Sequence, residues 1–108
     1  MNLVNNYLKE AQFMDLGAIK DLPSDLNDRE LARAIRMAIS AEHEAVHLYE
    51  LIVDRTVNTD AKKLIQDIAD EEKVHVGELE NLLSRIDPDD KDKREEGEKE
   101  ANDELGVD

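Results

Sequence analysis

Residues 61–86 read AKKLIQDIADEEKVHVGELENLLSRI, and the placing of their apolar positions decides the fold. Ala61, Ile65, Ile68, Leu79, Leu82 and Ile86 fall on alternating steps of three and four, with Glu72 and His75 filling the two places between Ile68 and Leu79. That spacing gathers one side of a helix and predicts a helix from about Asp60 to Ile86, stopped ahead of Pro88. Upstream, residues 27–56 repeat the pattern with Leu31, Ile35, Ala38, Glu42, Ala45, Tyr49 and Ile52, a single heptad stripe. Asn27 stands three residues before Glu30, the spacing of a capping box, and Leu26 and Leu31 flank it where a hydrophobic staple sits. The segment Val57-Asn58-Thr59-Asp60 breaks the stripe, and Thr59 is the expected cap of the second helix. Two long helices joined by so short a turn form an antiparallel hairpin. Each stripe is wider than one partner helix can cover. The predicted fold is therefore all-α, a hairpin that completes a four-helix bundle by pairing with a second copy.

Composition narrows the function. In 108 residues, 14 lysines and arginines face 28 acids, a formal net charge of −14. Phosphate-backbone binding needs a basic patch, so a nucleic-acid partner is not expected. Cysteine is absent, which removes disulfides, thiolate metal sites and cysteine nucleophiles. No apolar run approaches the ~20 residues of a membrane span. The opening MNLVNNYLKE lacks the basic start and apolar core of a signal peptide, so the expected location is intracellular. With Tyr7, Phe13 and Tyr49 as its aromatics, the aliphatic core is thin for a monomer.

The flanks differ from the hairpin. Residues 1–26 form an N-terminal segment in which Val4, Tyr7, Leu8, Ala11, Met14 and Ala18 have roughly helical spacing, limited by Gly17 and Pro23, so a short packing helix is expected there. Residues 87–108 hold eleven acids and four bases, too few apolar groups to repay the ordering of the backbone. Asp87 before Pro88 could cap one more short polar helix, but the expectation is a solvated or frayed acidic tail.

The chemistry lies inside the two stripes. Glu42 takes a core place in the first helix, and Glu72 and His75 take successive core places in the second. A buried carboxylate must be neutralised, paired or bound to a cation, because leaving it bare costs several kcal/mol or more, as a rough figure. Residues three apart share a helix face, so Glu72 and His75 can ligate one metal together. Carboxylates with one imidazole suit iron or manganese better than structural zinc. A carboxylate di-iron site in a four-helix bundle takes one Glu from each of two helices and Glu-x-x-His from each of the other two. This chain carries one of each, half a site. Two copies about a two-fold axis would supply four carboxylates and two imidazoles for two metals, one per chain. A second Glu-x-x-His, Glu44 and His47, lies about 200° and 140° round the helix from Glu42 at ~100° per residue. It cannot join the same buried site and defaults to a solvated outer face, with a weak secondary surface metal site as the sharper alternative. His43 has no special claim.

Ala41-Glu42-His43-Glu44-Ala45-Val46-His47-Leu48-Tyr49 followed by Asp70-Glu71-Glu72-Lys73-Val74-His75 resembles the ferritin-like/rubrerythrin pattern of Glu-x6-Tyr and then Glu-x-x-His. The likeness spans roughly Glu30 to Pro88, and its short hairpin form is most similar to the encapsulated ferritins. The resemblance implies a ferroxidase that oxidises Fe(II) with dioxygen, with Glu42, Glu72 and His75 as di-iron ligands and Glu72 bridging. It implies an outer hydrogen-bonding role for Tyr49, beside the simpler reading of Tyr49 as a core aromatic. It also implies dimers assembled into a ring, typically a decamer, as cargo of an encapsulin shell in the cytoplasm. Two regions depart from the pattern. The tail Glu104-Leu105-Gly106-Val107-Asp108 only faintly echoes the short apolar peptide that docks such cargo, and residues 1–25 match no part of it.

Two other functions compete. A rubrerythrin-like peroxidase would use the same di-iron site, but without cysteines it has no built-in rubredoxin centre and needs an external reductant. A metal-free interaction module would use Glu42, Glu72 and His75 as a buried hydrogen-bonded network that fixes helix register.

Overall fold

The computed structural model describes residues 24–106, and these form three helices: α1 (Asp28–Arg55), α2 (Thr59–Ile86) and α3 (Pro88–Leu105). Helices α1 and α2 are each 28 residues long and lie against each other as an antiparallel hairpin. The structure is all-α over the described residues, as the periodicity predicts. The short helix expected within residues 1–22 lies outside the described residues.

Local chemistry sets each helix end. At the start of α1 the capping box is complete: Glu30 N–H donates to Asn27 Oδ1 at 2.8 Å, and Asn27 N–H donates to Glu30 Oε1 at 3.2 Å. The start of α2 differs from the expectation. Its cap is Asn58, whose Oδ1 accepts from Ala61 N–H at 2.9 Å, and Thr59 is the first helical residue. Asn58 serves because its extended backbone puts the side-chain amide oxygen over the third N–H beyond it, a donor the helix itself leaves unpaired. Lys62 closes the turn from the other side, its Nζ donating to the Val53 carbonyl at 2.7 Å. Val53 lies in the last turn of α1, where carbonyls lack helical partners and a cation is favoured.

The seam between α1 and α2 is offset from the predicted stripes. Ala32 and Ile35 of α1 and Ala69, Val76 and Leu83 of α2 are buried, and Leu31, Ile39, Leu79 and Ile86 pack round the Ala32–Ile35–Leu83 cluster. In α2 the row of Ala69, Val76 and Leu83 was not in the predicted stripe, whereas Leu82, which was, is 44% exposed, and His75 is exposed too. The reason is geometric. A stripe two rows wide cannot bury both rows against one straight neighbour. The seam settles between the Ile65–Glu72–Leu79–Ile86 row and the Ala69–Val76–Leu83 row, and of the adjoining row His75 and Leu82 turn outward while Ala61 and Ile68 stay half-buried. Among the described residues, one flank of the hairpin is thus left open.

The acidic tail forms a helix rather than a frayed end. Asp87 caps α2 and α3 at once: its N–H donates to Leu83 O at 2.8 Å, and its Oδ1 accepts from Asp90 N–H at 3.1 Å. Pro88 occupies the first turn, where its missing N–H has no cost. Gly106 ends the helix in the left-handed conformation at φ 70°, which only glycine adopts freely. No residue of α3 is buried, and same-face ion pairs such as Lys91–Glu95 and Lys93–Glu96 run along it.

The cap assignment gives a direct test in urea unfolding. Asn58→Ala is expected to lower stability by about 1 kcal/mol, as loss of an N-cap does. Thr59→Ala, one residue on, is expected to change it by no more than a few tenths.

Candidate metal centre

Glu42 sits midway along α1, and Glu72 and His75 sit one turn apart on α2, so the antiparallel register brings all three to one level of the hairpin. His75 Nδ1 lies 3.5 Å from Glu72 Oε2 and 3.7 Å from Glu42 Oε2. Those separations are long for hydrogen bonds. They fit ligands of a shared cation, since two donors each about 2.1 Å from one ion can stand up to about 4.2 Å apart. Among the described residues these are the one group of three or more metal-ligating side chains whose donor atoms all lie within 4.8 Å of one another.

Burial separates their roles. The Glu42 and Glu72 side chains are 26% and 20% exposed, while His75 is 47% exposed. Glu42 Oε2 is fully buried and has no hydrogen-bond partner, alone in this among the described side chains. An unpartnered carboxylate oxygen is costly, and a cation answers both its charge and its lone pairs. The donor set of two carboxylates and one imidazole fits iron chemically. His75 lies on the flank left open among the described residues.

The other sequence-selected residues fall elsewhere. Tyr49, one heptad beyond Glu42, is half-buried, and no hydrogen bond joins it to the cluster among the described residues. Glu44 is half-buried and His47 exposed, and both lie outside the cluster. Helical periodicity did not single out a neighbouring pair: Lys73 Nζ reaches across the seam to Glu50 Oε2 at 2.9 Å and lies 3.6 Å from Asp70 Oδ1. The hydrogen bond to Glu50 raises the Lys73 pKa above its usual value. Its sequence signal is weak, because a cross-seam pair has no fixed spacing.

A helical hairpin that brings two glutamates and one histidine together in this way has the arrangement of a ferritin-like domain. Comparison with known proteins agrees. The rubrerythrin family model matches residues 31–105, and the chain belongs to that family. It is 43% identical over 67 residues to the encapsulin nanocompartment cargo protein EncC of Myxococcus xanthus, covering 62% of this chain and 52% of that protein. It is 42% identical over 59 residues to a ferritin-like–encapsulin shell fusion protein of Pyrococcus furiosus, covering 55% of this chain and 17% of that one. The chain therefore spans about half the length of the first of these relatives and a smaller part of the second. The crystal structure of the encapsulated ferritin domain from Pyrococcus furiosus superposes with a TM-score of 0.76 at 32% identity, covering 82% of this chain and 90% of that one.

The orphaned oxygen makes a stability prediction. Glu42→Leu is expected to raise the thermal midpoint of the metal-free protein, because removing an unsatisfied buried acceptor returns on the order of 1 kcal/mol. Calorimetry at matched protein concentration measures this, and an unchanged or lower midpoint would show that the carboxylate is already satisfied.

Proposed function

We propose that this protein is a ferroxidase carried as cargo in an encapsulin nanocompartment, with each di-iron site shared by two chains. The observation that supports it best is the buried, unpartnered Glu42 Oε2 facing Glu72 and His75. One chain offers two carboxylates and one imidazole, and a two-fold axis doubles this to the donor set of a di-iron centre. The open flank beside His75 supplies the apolar surface that such pairing would bury. Dimers assemble further into a ring, a decamer by family likeness. The encapsulin partner rests on the names of the relatives: one is a nanocompartment cargo protein, and another is fused to a shell. The compartment would lie in the cytoplasm.

Fe(II) is the substrate, and each ion gives up one electron to dioxygen. Hard carboxylate oxygens favour the Fe(III) product, so Glu42 and Glu72 stabilise the more charged state from inside the seam. His75 contributes a nitrogen donor at the exposed edge, where it would complete the donor set of the two carboxylates. Tyr49, half-buried on the same face of α1, would act as an outer hydrogen-bonding group in the dimer. Glu44 and His47, a second Glu-x-x-His outside the cluster, are the candidates for a secondary surface metal site.

The test combines stoichiometry and rate. Anaerobic Fe(II) titration read by native mass spectrometry is expected to give an even-numbered oligomer holding one iron per chain. Glu42→Ala, Glu72→Ala and His75→Ala are each expected to lose rapid Fe(II) oxidation while keeping parent helicity. The loss should exceed the roughly 10–100-fold that outer-shell groups carry. Parent rates in all three variants would remove the site assignment, and a monomer that takes up no iron would favour a metal-free interaction module.

A further inference from the structure

The α3 helix buries no side chain, so apolar packing does not set the direction in which it leaves the hairpin. A run of charged contacts does. Arg36, in α1, donates through Nη2 to Asp87 Oδ2 at 2.8 Å and to Asp90 Oδ1 at 2.9 Å. Asp90 in turn accepts from Arg94 Nε at 2.7 Å, and Arg94 Nη2 donates to Ser84 Oγ at 2.6 Å. Ser84 Oγ is itself anchored to the Glu80 carbonyl at 3.0 Å. The chain of contacts therefore runs from α1 through the first two turns of α3 to the last turns of α2. Bonding to Arg36 and then Arg94 holds the Asp90 carboxyl below its usual range.

The side of the hairpin on which this happens is determined by the register. Ser84 is nine residues from His75, and Arg36 is nine from Ala45. At ~100° per residue each pair stands half a turn apart. The contacts thus lie opposite the exposed His75 and Leu82 on α2 and opposite the half-buried Ala45 on α1. A shallow cleft on this closed side is lined by Ile39, Ser40, Glu80 and Leu83 together with Asp90 and Arg94 of α3. The first turns of α3 lie over the seam there. Asp87, the joint, has φ −128° and ψ 81°, outside the helical region. It is the one residue between α2 and α3.

We infer that Arg36 is an ionic latch that aims α3, holding this charged arm on the closed side of the hairpin and clear of the flank bearing His75. An 18-residue helix is about 27 Å long. Asp87 lies twelve residues beyond His75, about 18 Å along α2, so an arm released at Asp87 is long enough to fold back over that flank. Because Arg36 is 43% exposed, the latch is open to screening by salt.

The absence of cysteine makes the test simple, because two labels can be placed without removing any native thiol. Asp67→Cys and Ala101→Cys put nitroxide labels on exposed positions of α2 and α3. Pulsed electron paramagnetic resonance then reads the distance between them, with excess unlabelled protein present to suppress signals between chains. At low salt the parent is expected to show one narrow distance peak. Arg36→Gln is expected to lose that peak with helicity by circular dichroism retained, and Arg36→Lys to lose it in part, because an ammonium reproduces the two-carboxylate fork poorly. Molar salt, where the screening length falls to about 3 Å, is expected to broaden the parent peak as well. An Arg36→Gln distribution identical to the parent's would overturn the latch. So would a loss of helicity equal to that of a chain ending at Ile86, since Arg36 would then be folding α3 rather than aiming it.

Discussion

The structure turns on the carboxylate of Glu42. A 28-residue helix could have carried an apolar residue at this place and gained stability from it. The chain instead buries an oxygen that no group of its own satisfies. Everything near it is arranged to meet that demand only in part. Glu72 adds a second negative group, and His75 approaches no closer than 3.5 Å to either carboxylate. Such a cluster is poorly joined as a hydrogen-bonded network, and its donor set is one that a shared cation would satisfy. The core around it is thin. No large side chain is fully buried anywhere in the described residues, and a hairpin this narrow has little apolar burial to spend on an unpaired charge.

The two sides of the hairpin divide the work. One flank presents the exposed His75 and Leu82 and has no covering element among the described residues. The other is closed by polar pairs, with Lys73–Glu50 across the middle and the Arg36–Asp87–Asp90–Arg94–Ser84 run at the end. Ion pairs this exposed add little net stability, but they impose direction, because a guanidinium held by two carboxylates has one geometry. The acidic arm accordingly sits where it leaves the flank with the histidine free. Acid weakens this arrangement in a defined order. Asp90 is depressed by its arginines, so its contribution is complete above the ordinary carboxylate pKa and disappears only as pH falls through the lower folded value.

Much of the fold was legible because it is local. The capping box at Asn27 and Glu30, the break at Val57–Asn58 and the stop before Pro88 are short-range signals that the structure uses as written. The choice of Asn58 over Thr59 was not legible, since both side chains can cap and only the backbone angle of the turn selects between them. The helicity of residues 88–105 was underestimated for a related reason. The acidic composition argued against a core, which the helix indeed lacks. Yet Asp87, Pro88, the internal ion pairs and a left-handed Gly106 are sufficient to form a helix that needs no core.

By itself the sequence determined the period of the two long helices, their antiparallel pairing, and the presence of Glu42, Glu72 and His75 on their stripes. These follow from spacing along the chain, and a 3.6-residue repeat converts spacing directly into a face. Tertiary structure decided which of two adjacent rows becomes the seam, and therefore that His75 looks outward while the Glu42 oxygen is sealed in. It also decided that Arg36 meets Asp87 and Asp90, more than fifty residues away. Both outcomes depend on how two cylinders rotate against each other, a quantity no repeat along one strand of chain can encode.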